Sequence, residues 1–181
     1  MEDAVTSALL GHTPADAEEA ADLERILELV AAEVDPWSRA LPLHLTASAL
    51  VLHPETSRVL LRWHAKQQGW LQVGGHADPG ERDPWLIALR EAVEETTLVD
   101  LRPWPHDTTS LAQVTIVDVA AAGSELAHRH ADLRYFLATD QPDGVPSEVE
   151  DVPLRWMSID EALTYADAGL ERLLRRVPGF G

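Results

Sequence analysis

A glycine pair that leads through a short loop into a well-specified helix is the feature that most constrains the fold of this chain. Residues 74–98 read GGHADPGERDPWLIALREAVEETTL. Asp83 is a strong helix N-cap, and the proline after it takes the first helical position, where proline is tolerated. Glu91, Glu94 and Glu95 follow at i, i+3 and i+4, so a 3.6-residue repeat places the three carboxylates on one face. The segment therefore predicts a helix with a concentrated acidic face.

This acidic face needs a partner, because like charges at these spacings destabilise a helix. Divalent cations such as Mg²⁺ or Mn²⁺ bind carboxylate and carbonyl oxygens, so a metal site is one interpretation. A solvated acidic helix is the other. Leu86, Leu89 and Val93 recur on the opposite side, which predicts that this side packs in the core. Arg90 borders the glutamates and can hold a carboxylate by a forked hydrogen bond.

The spacing of these residues resembles the Nudix box, the signature of the Nudix hydrolase family. That pattern is Gly, five residues, Glu, seven residues, then Arg-Glu-hydrophobic-x-Glu-Glu-x-Gly-hydrophobic. The chain has Gly75, five residues and Glu81, then the run REAVEE from Arg90, and Leu98 closes the segment. Eight residues separate Glu81 from Arg90, and Thr97 stands where the family usually has glycine. We place the extra residue just before the helix cap, where lengthening a loop costs little entropy.

The resemblance implies a hydrolase that cleaves a diphosphate linkage in a nucleoside diphosphate joined to another group. The catalytic residues implied by the matching positions are Arg90, Glu91, Glu94 and Glu95. The implied ligands for Mg²⁺ or Mn²⁺ are the Gly74 carbonyl and the carboxylates of Glu81, Glu91, Glu94 and Glu95, with Glu91 alternatively a general base. Such cations neutralise phosphate charge and lower the pKa of a bound water, which is the chemistry that this hydrolysis needs.

The resemblance also implies an α/β fold, a Nudix-type α/β/α sandwich with a mixed sheet. We expect one domain over residues 1–181, with the Nudix core at 44–166, an N-terminal helical extension at 1–43 and a C-terminal helix at 167–181. The local pattern indicates strands at 46–52, 58–62, 70–73, 111–120, 132–139 and 154–157. Helices are predicted from Ser158 and from Asp167, and a short one ends at Gly11.

A longer helix is predicted to be capped by Thr13 and to begin at Pro14. Its apolar stripe comprises Leu23, Ile26, Leu27 and Val30. The stripe is interpreted as core packing or as the interface of a possible homodimer.

A second group of polar residues alternates along the strand near residue 132. His128, His130, Asp132 and Arg134 share one face, because successive side chains of a strand point to opposite sides. This face is a candidate for substrate phosphate contacts, an extra metal ligand or a base, and the alternative is an exposed hairpin face with mixed charges. His130, Asp132 and Arg134 are candidate substrate-binding residues. His76, directly after the glycine pair, is another, although it can also brace its loop by a hydrogen bond.

The composition limits the classes of partner. Lys+Arg number 14 against 31 Asp+Glu, and a net charge of −17 disfavours nucleic-acid backbones and anionic membranes. A small anionic nucleotide-type substrate fits only if its charge is neutralised at the site. The chain has no cysteine, which excludes thiol catalysis and cysteine-ligated zinc. Without an evident signal peptide or membrane helix, the expected location is the cytoplasm.

Three hypotheses follow. The first is a metal-dependent pyrophosphohydrolase acting on a modified nucleoside triphosphate, a nucleotide sugar or a similar compound. The second is a non-catalytic nucleotide-binding or regulatory module on a Nudix fold, suggested by the longer box and the missing glycine. The third is an acidic interaction domain that uses the stripe between Leu23 and Val30.

Overall fold

Alternation of apolar residues with period two produces the strands of this chain. Capped segments between them form the helices. The computed structural model describes residues 3–32, 34–65, 67–105, 108–121, 123, 126–142 and 153–180. Within these ranges the helices are α1 (Ala4–Leu10), α2 (Ala17–Ala31), α3 (Pro84–Thr96), α4 (Ile159–Leu163) and α5 (Ala168–Leu174). The strands are β1 (Leu43–His53), β2 (Arg58–His64), β3 (Gly69–Leu71), β4 (Val73–Gly75), β5 (Arg102–Pro103), β6 (Gln113–Val119), β7 (His128–Ala138) and β8 (Leu154–Ser158).

One mixed sheet contains all the strands of the described part of the chain. The two long strands β1 and β7 lie side by side and run parallel, with His44 opposite His130 and Ser48 opposite Arg134. Strands β2 and β4 pair antiparallel with β1, β3 and β8 with β2, and β5 and β6 with β7. The long parallel pair therefore forms the centre from which the site is built.

Each of the two central strands has one apolar face and one face that is polar in its first part and apolar only towards its end. On one face of β1, Leu45, Ala47, Ala49 and Val51 are buried in the core beneath α3. The other face is apolar only towards the end of the strand, at Leu50 and Leu52. On β7, the face with His128, His130, Asp132 and Arg134 likewise becomes apolar only at Phe136. Because the strands are parallel and in register, their polar halves lie together.

Helices cover both faces of the sheet, which confirms the predicted α/β/α sandwich. Helix α3 packs on β1 and β4, and α1 and α2 contribute Val5, Leu9 and Ile26 to the same core. Helices α4 and α5 pack on the opposite face, where Leu170 and Leu173 are buried. The predicted N-terminal helical extension is present as α1 and α2. No helix in the described ranges is long and apolar enough to cross a membrane.

The start of α2 was predicted wrongly. The N-cap is Asp16, whose carboxylate accepts a hydrogen bond from the Glu19 N–H at 2.8 Å, and not Thr13. The Glu19 side chain turns back to accept from the Ala15 N–H at 2.8 Å, so the preceding residues form a loop around this carboxylate. Of the apolar stripe, Ile26 is buried and Leu23, Leu27 and Val30 pack against the core, so the stripe serves packing.

The buried face of α3 also differs from the prediction. Its cap at Asp83 and its first residue, Pro84, are as predicted. Leu89 packs against the core as predicted, but Leu86 is 57% exposed, and the fully buried residues of the helix are Pro84, Ile87, Ala88, Ala92 and Thr96. This face lies next to the glutamates and not opposite them, because the helix lies with its acidic side against the glycine strand β4.

Most of the other predicted elements have a counterpart. The strands predicted at 46–52 and 58–62 are present as the antiparallel pair β1 and β2, and the helix starts predicted at Ser158 and Asp167 are confirmed. Strand β7 begins at His128, four residues before the predicted start at Asp132. The strand thus includes His128 and His130, which were predicted to share a face with Asp132, and His130 lines the cleft described below.

Candidate active site

The glutamates of α3 approach the backbone of β4 more closely than any side chain on β4 would allow. A Cβ added to Gly75 would lie 2.7 Å from Glu91 Oε1. Gly74 has a φ of +149° and pairs with Ser48, with which an added Cβ would collide. Glycine is therefore required at both positions, one for the approach of Glu91 and one for its backbone conformation and the close contact with β1.

Arg90 organises the acidic face. Its guanidinium donates to Glu81 from Nε at 3.0 Å and from Nη2 at 2.9 Å. Nη1 donates to Glu91 at 3.1 Å and to Glu94 at 2.9 Å, and Nη2 also donates to the His76 carbonyl. This forked contact lowers the pKa of Glu81 and raises that of Arg90. The extra residue in the box thus leaves Glu81 in contact with Arg90, through a tight turn in which the Glu81 N–H donates to the Asp78 carbonyl.

Glu95 lies on the other side of the acidic face. Its carboxylate accepts from the Gly74 N–H at 3.2 Å and pairs with Arg62 at 3.2 Å. Burial raises its pKa to about 7, although Arg62 and the Gly74 N–H act in the opposite direction. Burial likewise raises the pKa of Glu91, against the effect of Arg90. Glu94 is more open, with 41% of its side chain exposed against 16% for Glu91 and 17% for Glu95.

These observations fit a bound divalent cation. Three carboxylates share one helix face, and two of them are buried enough that their negative charge is disfavoured. A cation ligated by the glutamates would offset that cost, and oxygen donors are the ligands that Mg²⁺ and Mn²⁺ prefer. The absence of a side chain at Gly75 lets the Glu91 carboxylate lie against the backbone of β4. The donor set is therefore suitable for the metal that the sequence predicted.

Thr97 takes the backbone conformation that glycine usually supplies at a helix end. Its φ is +59°, in the left-handed region, and its N–H donates to the Val93 carbonyl at 2.7 Å. A β-branched residue rarely adopts this conformation. The helix thus ends in the same way as with glycine, but at a cost in backbone strain.

A cleft of about 200 Å³ adjoins the glycine strand. Its lining includes Thr46 and Ser48 from β1, Arg62 and His64 from β2, Gly74, Gly75 and His76, and His130, Asp132 and Arg134 from β7. Two cationic side chains, Arg62 and Arg134, thus face a cleft in a protein whose net charge is −17. The predicted substrate-binding residues His76, His130, Asp132 and Arg134 all lie in this one cleft, next to the strand that contacts Glu91 and Glu95.

Asp132 is bound on several sides by the chain. Its carboxylate accepts from Thr46 at 3.0 Å, Ser48 at 2.8 Å, Gln72 at 3.3 Å and Arg134 at 2.8 Å. Arg134 is 4% exposed and also donates to the Gln113 side chain. These contacts leave the carboxylate little capacity for another donor, so Asp132 fixes the hydroxyls and the guanidinium around it.

His76 lies within a group of imidazoles. Its Nε2 is 3.1 Å from His44 Nε2, and its ring packs edge-on against His130 with centroids 4.8 Å apart. Burial, together with Arg39 and the neighbouring imidazoles, lowers the pKa of His76 to about 3, so the ring is neutral.

The sequence interpretation did not identify Arg62 and His64, which line the cleft, or His44, which contacts the lining residues His76 and His130. The parity of β1 would have found His44, because it has the same parity as Thr46 and Ser48. The pairing of β1 with β7, however, is a tertiary contact, and no local pattern in the sequence reveals it.

The arrangement of the chain has relatives of known structure. A NUDIX family hydrolase from Clostridium perfringens shares 22% identity, with 76% of this chain and 95% of that chain covered at a TM-score of 0.58. A C. elegans Ap4A hydrolase shares 22% identity over 73% and 93% of the two chains at 0.56. The E. coli dihydroneopterin triphosphate pyrophosphohydrolase shares 17% over 75% and 94% at 0.55. At these identities the likeness concerns the fold. No curated protein matches the sequence significantly.

The family assignment comes from the sequence itself. The family model of the NUDIX domain matches residues 42–177, a segment that contains the glutamate helix, the glycine strand and the cleft. It extends beyond the predicted core of 44–166 at both ends and includes α5. Because the match spans most of the 181 residues, the chain belongs to the Nudix family of hydrolases.

Proposed function

We propose that the protein is a metal-dependent pyrophosphohydrolase that cleaves the diphosphate linkage of a nucleoside diphosphate derivative. The observation that carries the proposal is the convergence of Glu91, Glu94 and Glu95 beside the Gly74–Gly75 strand, with Arg90 holding two of the three. The structural relatives named above as hydrolases of Ap4A and of dihydroneopterin triphosphate support a phosphorylated nucleotide-type substrate.

The proposed metal ligands are the carboxylates of Glu91, Glu94 and Glu95, with Glu81 and the Gly74 carbonyl as further members of the set. A bound Mg²⁺ or Mn²⁺ would neutralise phosphate charge and lower the pKa of a bound water. Glu91 is also the candidate general base, because burial raises the pKa of its carboxyl towards the range in which a base is effective. Arg90 holds the carboxylates in place, and Glu81 in turn holds Arg90.

The proposed substrate lies in the cleft with its phosphates towards the glutamates. Arg62 is suited to meet phosphate oxygens, since it lines the cleft and already pairs with Glu95 at the boundary between the two regions. Arg134 provides a second guanidinium, which Asp132 and Gln113 hold in place. His76 and His130 form the adjacent wall. A modified nucleoside triphosphate and a nucleotide sugar are the substrate classes that we propose first, and the cytoplasm stays our prediction for the location.

Both departures from the family pattern are compatible with catalysis. Glu81 reaches Arg90 in spite of the additional residue, and Thr97 adopts the positive φ that the usual glycine would have. The contact of Glu81 with Arg90 and the backbone conformation of Thr97 favour the hydrolase over the binding module that the departures suggested. A homodimer stays a prediction, and the stripe of α2 offers no surface for it, since it packs against the core.

The test is release of phosphate and pyrophosphate from nucleoside triphosphates, nucleotide sugars, ADP-ribose and dinucleoside polyphosphates, with Mg²⁺ and with Mn²⁺. Glu94→Gln is the diagnostic variant, because its side chain is open to solvent and its loss removes no core contact. Glu28→Gln, an exposed position on α2, is the matched control. We expect turnover of one substrate class that is lost in Glu94→Gln and kept in Glu28→Gln. Absence of turnover across the panel, with thermal stabilisation by a nucleotide intact, would instead favour the binding module.

A further inference from the structure

Four histidines that are distant in sequence form one cluster at the end of the cleft. His44 belongs to β1, His76 follows β4, and His128 and His130 belong to β7. The His44 ring stacks on His76 and His128 with centroids 5.1 and 5.2 Å apart, and the rings of His76 and His130 are 4.8 Å apart. The parallel pairing of β1 with β7 places His44 directly beside His130.

The hydrogen bonds of the cluster orient ring nitrogens towards each other. His44 Nδ1 lies 3.0 Å from the Leu41 carbonyl, so this nitrogen carries a hydrogen and Nε2 is the nitrogen that could bind a metal. That Nε2 is 3.1 Å from His76 Nε2. In metal-ligating histidines, a backbone carbonyl often holds one ring nitrogen in this way and leaves the other for the metal. His128 holds the cluster from the other side, with Nδ1 2.8 Å from the Leu126 carbonyl and Nε2 3.0 Å from His130 Nε2.

We propose that His44, His76 and His130 form a second metal site, separate from the carboxylate site and selective for a cation of the Zn²⁺ class. One ligand nitrogen from each residue lies within 4.8 Å of the other two. Zinc–nitrogen bonds of about 2.0–2.1 Å in a tetrahedron separate the nitrogens by roughly 3.4 Å, so small ring rotations bring the set into place. His44 is 1% exposed and fixed, whereas His76 and His130 are partly exposed and able to adjust.

The chemistry of the donors distinguishes this site from the glutamate site. Imidazole nitrogens suit Zn²⁺ and similar transition-metal ions, whereas carboxylates and carbonyls suit Mg²⁺ and Mn²⁺. Three protein ligands leave a fourth tetrahedral position, which is the pattern of sites that take a water or a substrate oxygen. His76 and His130 line the cleft, so this position opens towards the space assigned to the substrate. The site itself does not depend on the proposed hydrolysis.

The test is a titration of the metal-free 181-residue protein with Co²⁺, with saturating Mg²⁺ present to occupy the carboxylates. Four-coordinate Co²⁺ absorbs strongly in the visible, so its spectrum reports the geometry without any activity assay. We expect one such Co²⁺ per chain, displaced by Zn²⁺, and an affinity reduced about ten-fold or more in His76→Gln and in His130→Gln. His53→Gln is the matched control, because His53 is buried on the same strand as His44 and bonds to Thr56 outside the cluster.

The unmodified chain provides a second readout. It reports on the buried His44 directly, without a substitution at this position that would disturb folding. Addition of Zn²⁺ should shift the NMR signal of His44 Nε2 and leave that of His53 unchanged. Wild-type Co²⁺ affinity in both His76→Gln and His130→Gln would overturn the proposal. So would loss of the Co²⁺ spectrum in Glu94→Gln, because the bound ion would then belong to the carboxylates.

Discussion

Gly75 and Glu91 lie so close that a single methyl group on the glycine would reach the carboxylate, with the added Cβ 2.7 Å from Oε1 and 2.8 Å from Oε2. The contact joins the strand and the helix of the proposed metal site. The nearest atoms are the far end of a flexible side chain, so an added methyl would displace Glu91 without disrupting the backbone. The absence of a side chain at position 75 therefore allows the Glu91 carboxylate to take its place in the site.

Gly75→Ala is accordingly expected to reduce turnover strongly while the protein stays folded. Displacing a catalytic group by about 1 Å can lower the rate about 100-fold. The measurements are kcat with the identified substrate and the unfolding temperature. Gly69→Ala is the matched control, because a Cβ at Gly69 would make only an ordinary contact, 3.8 Å from the Gln67 carbonyl. Equal activity of the two variants would show that the position of Glu91 is not critical.

The forked contacts of Arg90 lead to a second prediction. Its guanidinium binds Glu81 through Nε and Nη2 while Nη1 reaches Glu91 and Glu94, a geometry that the single ammonium of lysine cannot reproduce. Arg90→Lys should therefore lower kcat roughly ten-fold or more although the charge is kept. The control is Arg82→Lys, at an exposed arginine that pairs only with Asp35 and the Glu81 carbonyl among its described contacts. Full activity of Arg90→Lys would mean that Arg90 contributes only its positive charge and not its forked hydrogen bonds.

The local signals of the sequence were sufficient for the glutamate helix and the general architecture. The cap at Asp83, the proline after it and the spacing of the glutamates act within a few residues, and the structure has them as predicted. The side of α3 that packs was predicted only in part, because Leu89 contacts the core but Leu86, which continues the helical repeat, is 57% exposed. Hydrophobicity alone does not indicate that small residues such as Ala88 and Ala92 face the sheet where the helix lies close to it.

The cleft could be predicted only in part, for a similar reason. Period-two alternation correctly placed His130, Asp132 and Arg134 on one face of a strand. It could not show that His44 lies opposite His130, since parallel strands 86 residues apart pair through the tertiary fold. The role of Glu19 was missed too, because its partners Val114 and Arg176 are distant in sequence.

Replacing Thr97 tests the cost of backbone strain without changing any of the proposed catalytic residues. It holds a φ of +59°, and its hydroxyl oxygen is buried without a hydrogen-bond partner in the described part of the chain. Glycine removes both costs, so Thr97→Gly should stabilise the fold by about 1 kcal/mol and raise the unfolding temperature by roughly 2–4 °C. Turnover should be unchanged, because the helix end keeps its conformation.

The neighbouring threonine is the control for this prediction. Thr96 is helical and buried, and its hydroxyl donates to the Ala92 carbonyl and accepts from the Leu98 N–H. Thr96→Gly should therefore lower the unfolding temperature. A decrease in Thr97→Gly as well would mean that the chain tolerates the positive φ without strain.

The last prediction concerns pH and the attachment of the N-terminal helices. The Glu19 carboxylate is 1% exposed and accepts hydrogen bonds from Arg176 at 2.7 and 2.9 Å and from the Val114 N–H at 3.0 Å, so it connects α2 to β6 and to the C-terminal end of the chain. Burial would raise its pKa, but Arg176, the two backbone N–H groups and His12 outweigh that effect and lower the pKa from 4.5 to about 2.

A carboxyl group with a lowered folded-state pKa stabilises the fold fully above its unfolded value and loses this contribution as the pH falls through the folded one. The Glu19 contribution is therefore complete above about pH 5 and disappears towards pH 2. Glu19→Gln should lower the free energy of unfolding at pH 7 by roughly 3 kcal/mol, because it breaks a buried ion pair. The difference from wild type should shrink as the pH falls. Chemical unfolding between pH 7 and pH 3 measures this, with the exposed neighbour Glu18→Gln as control. A deficit that stays constant across that range would mean that Glu19 acts through packing and not through its charge.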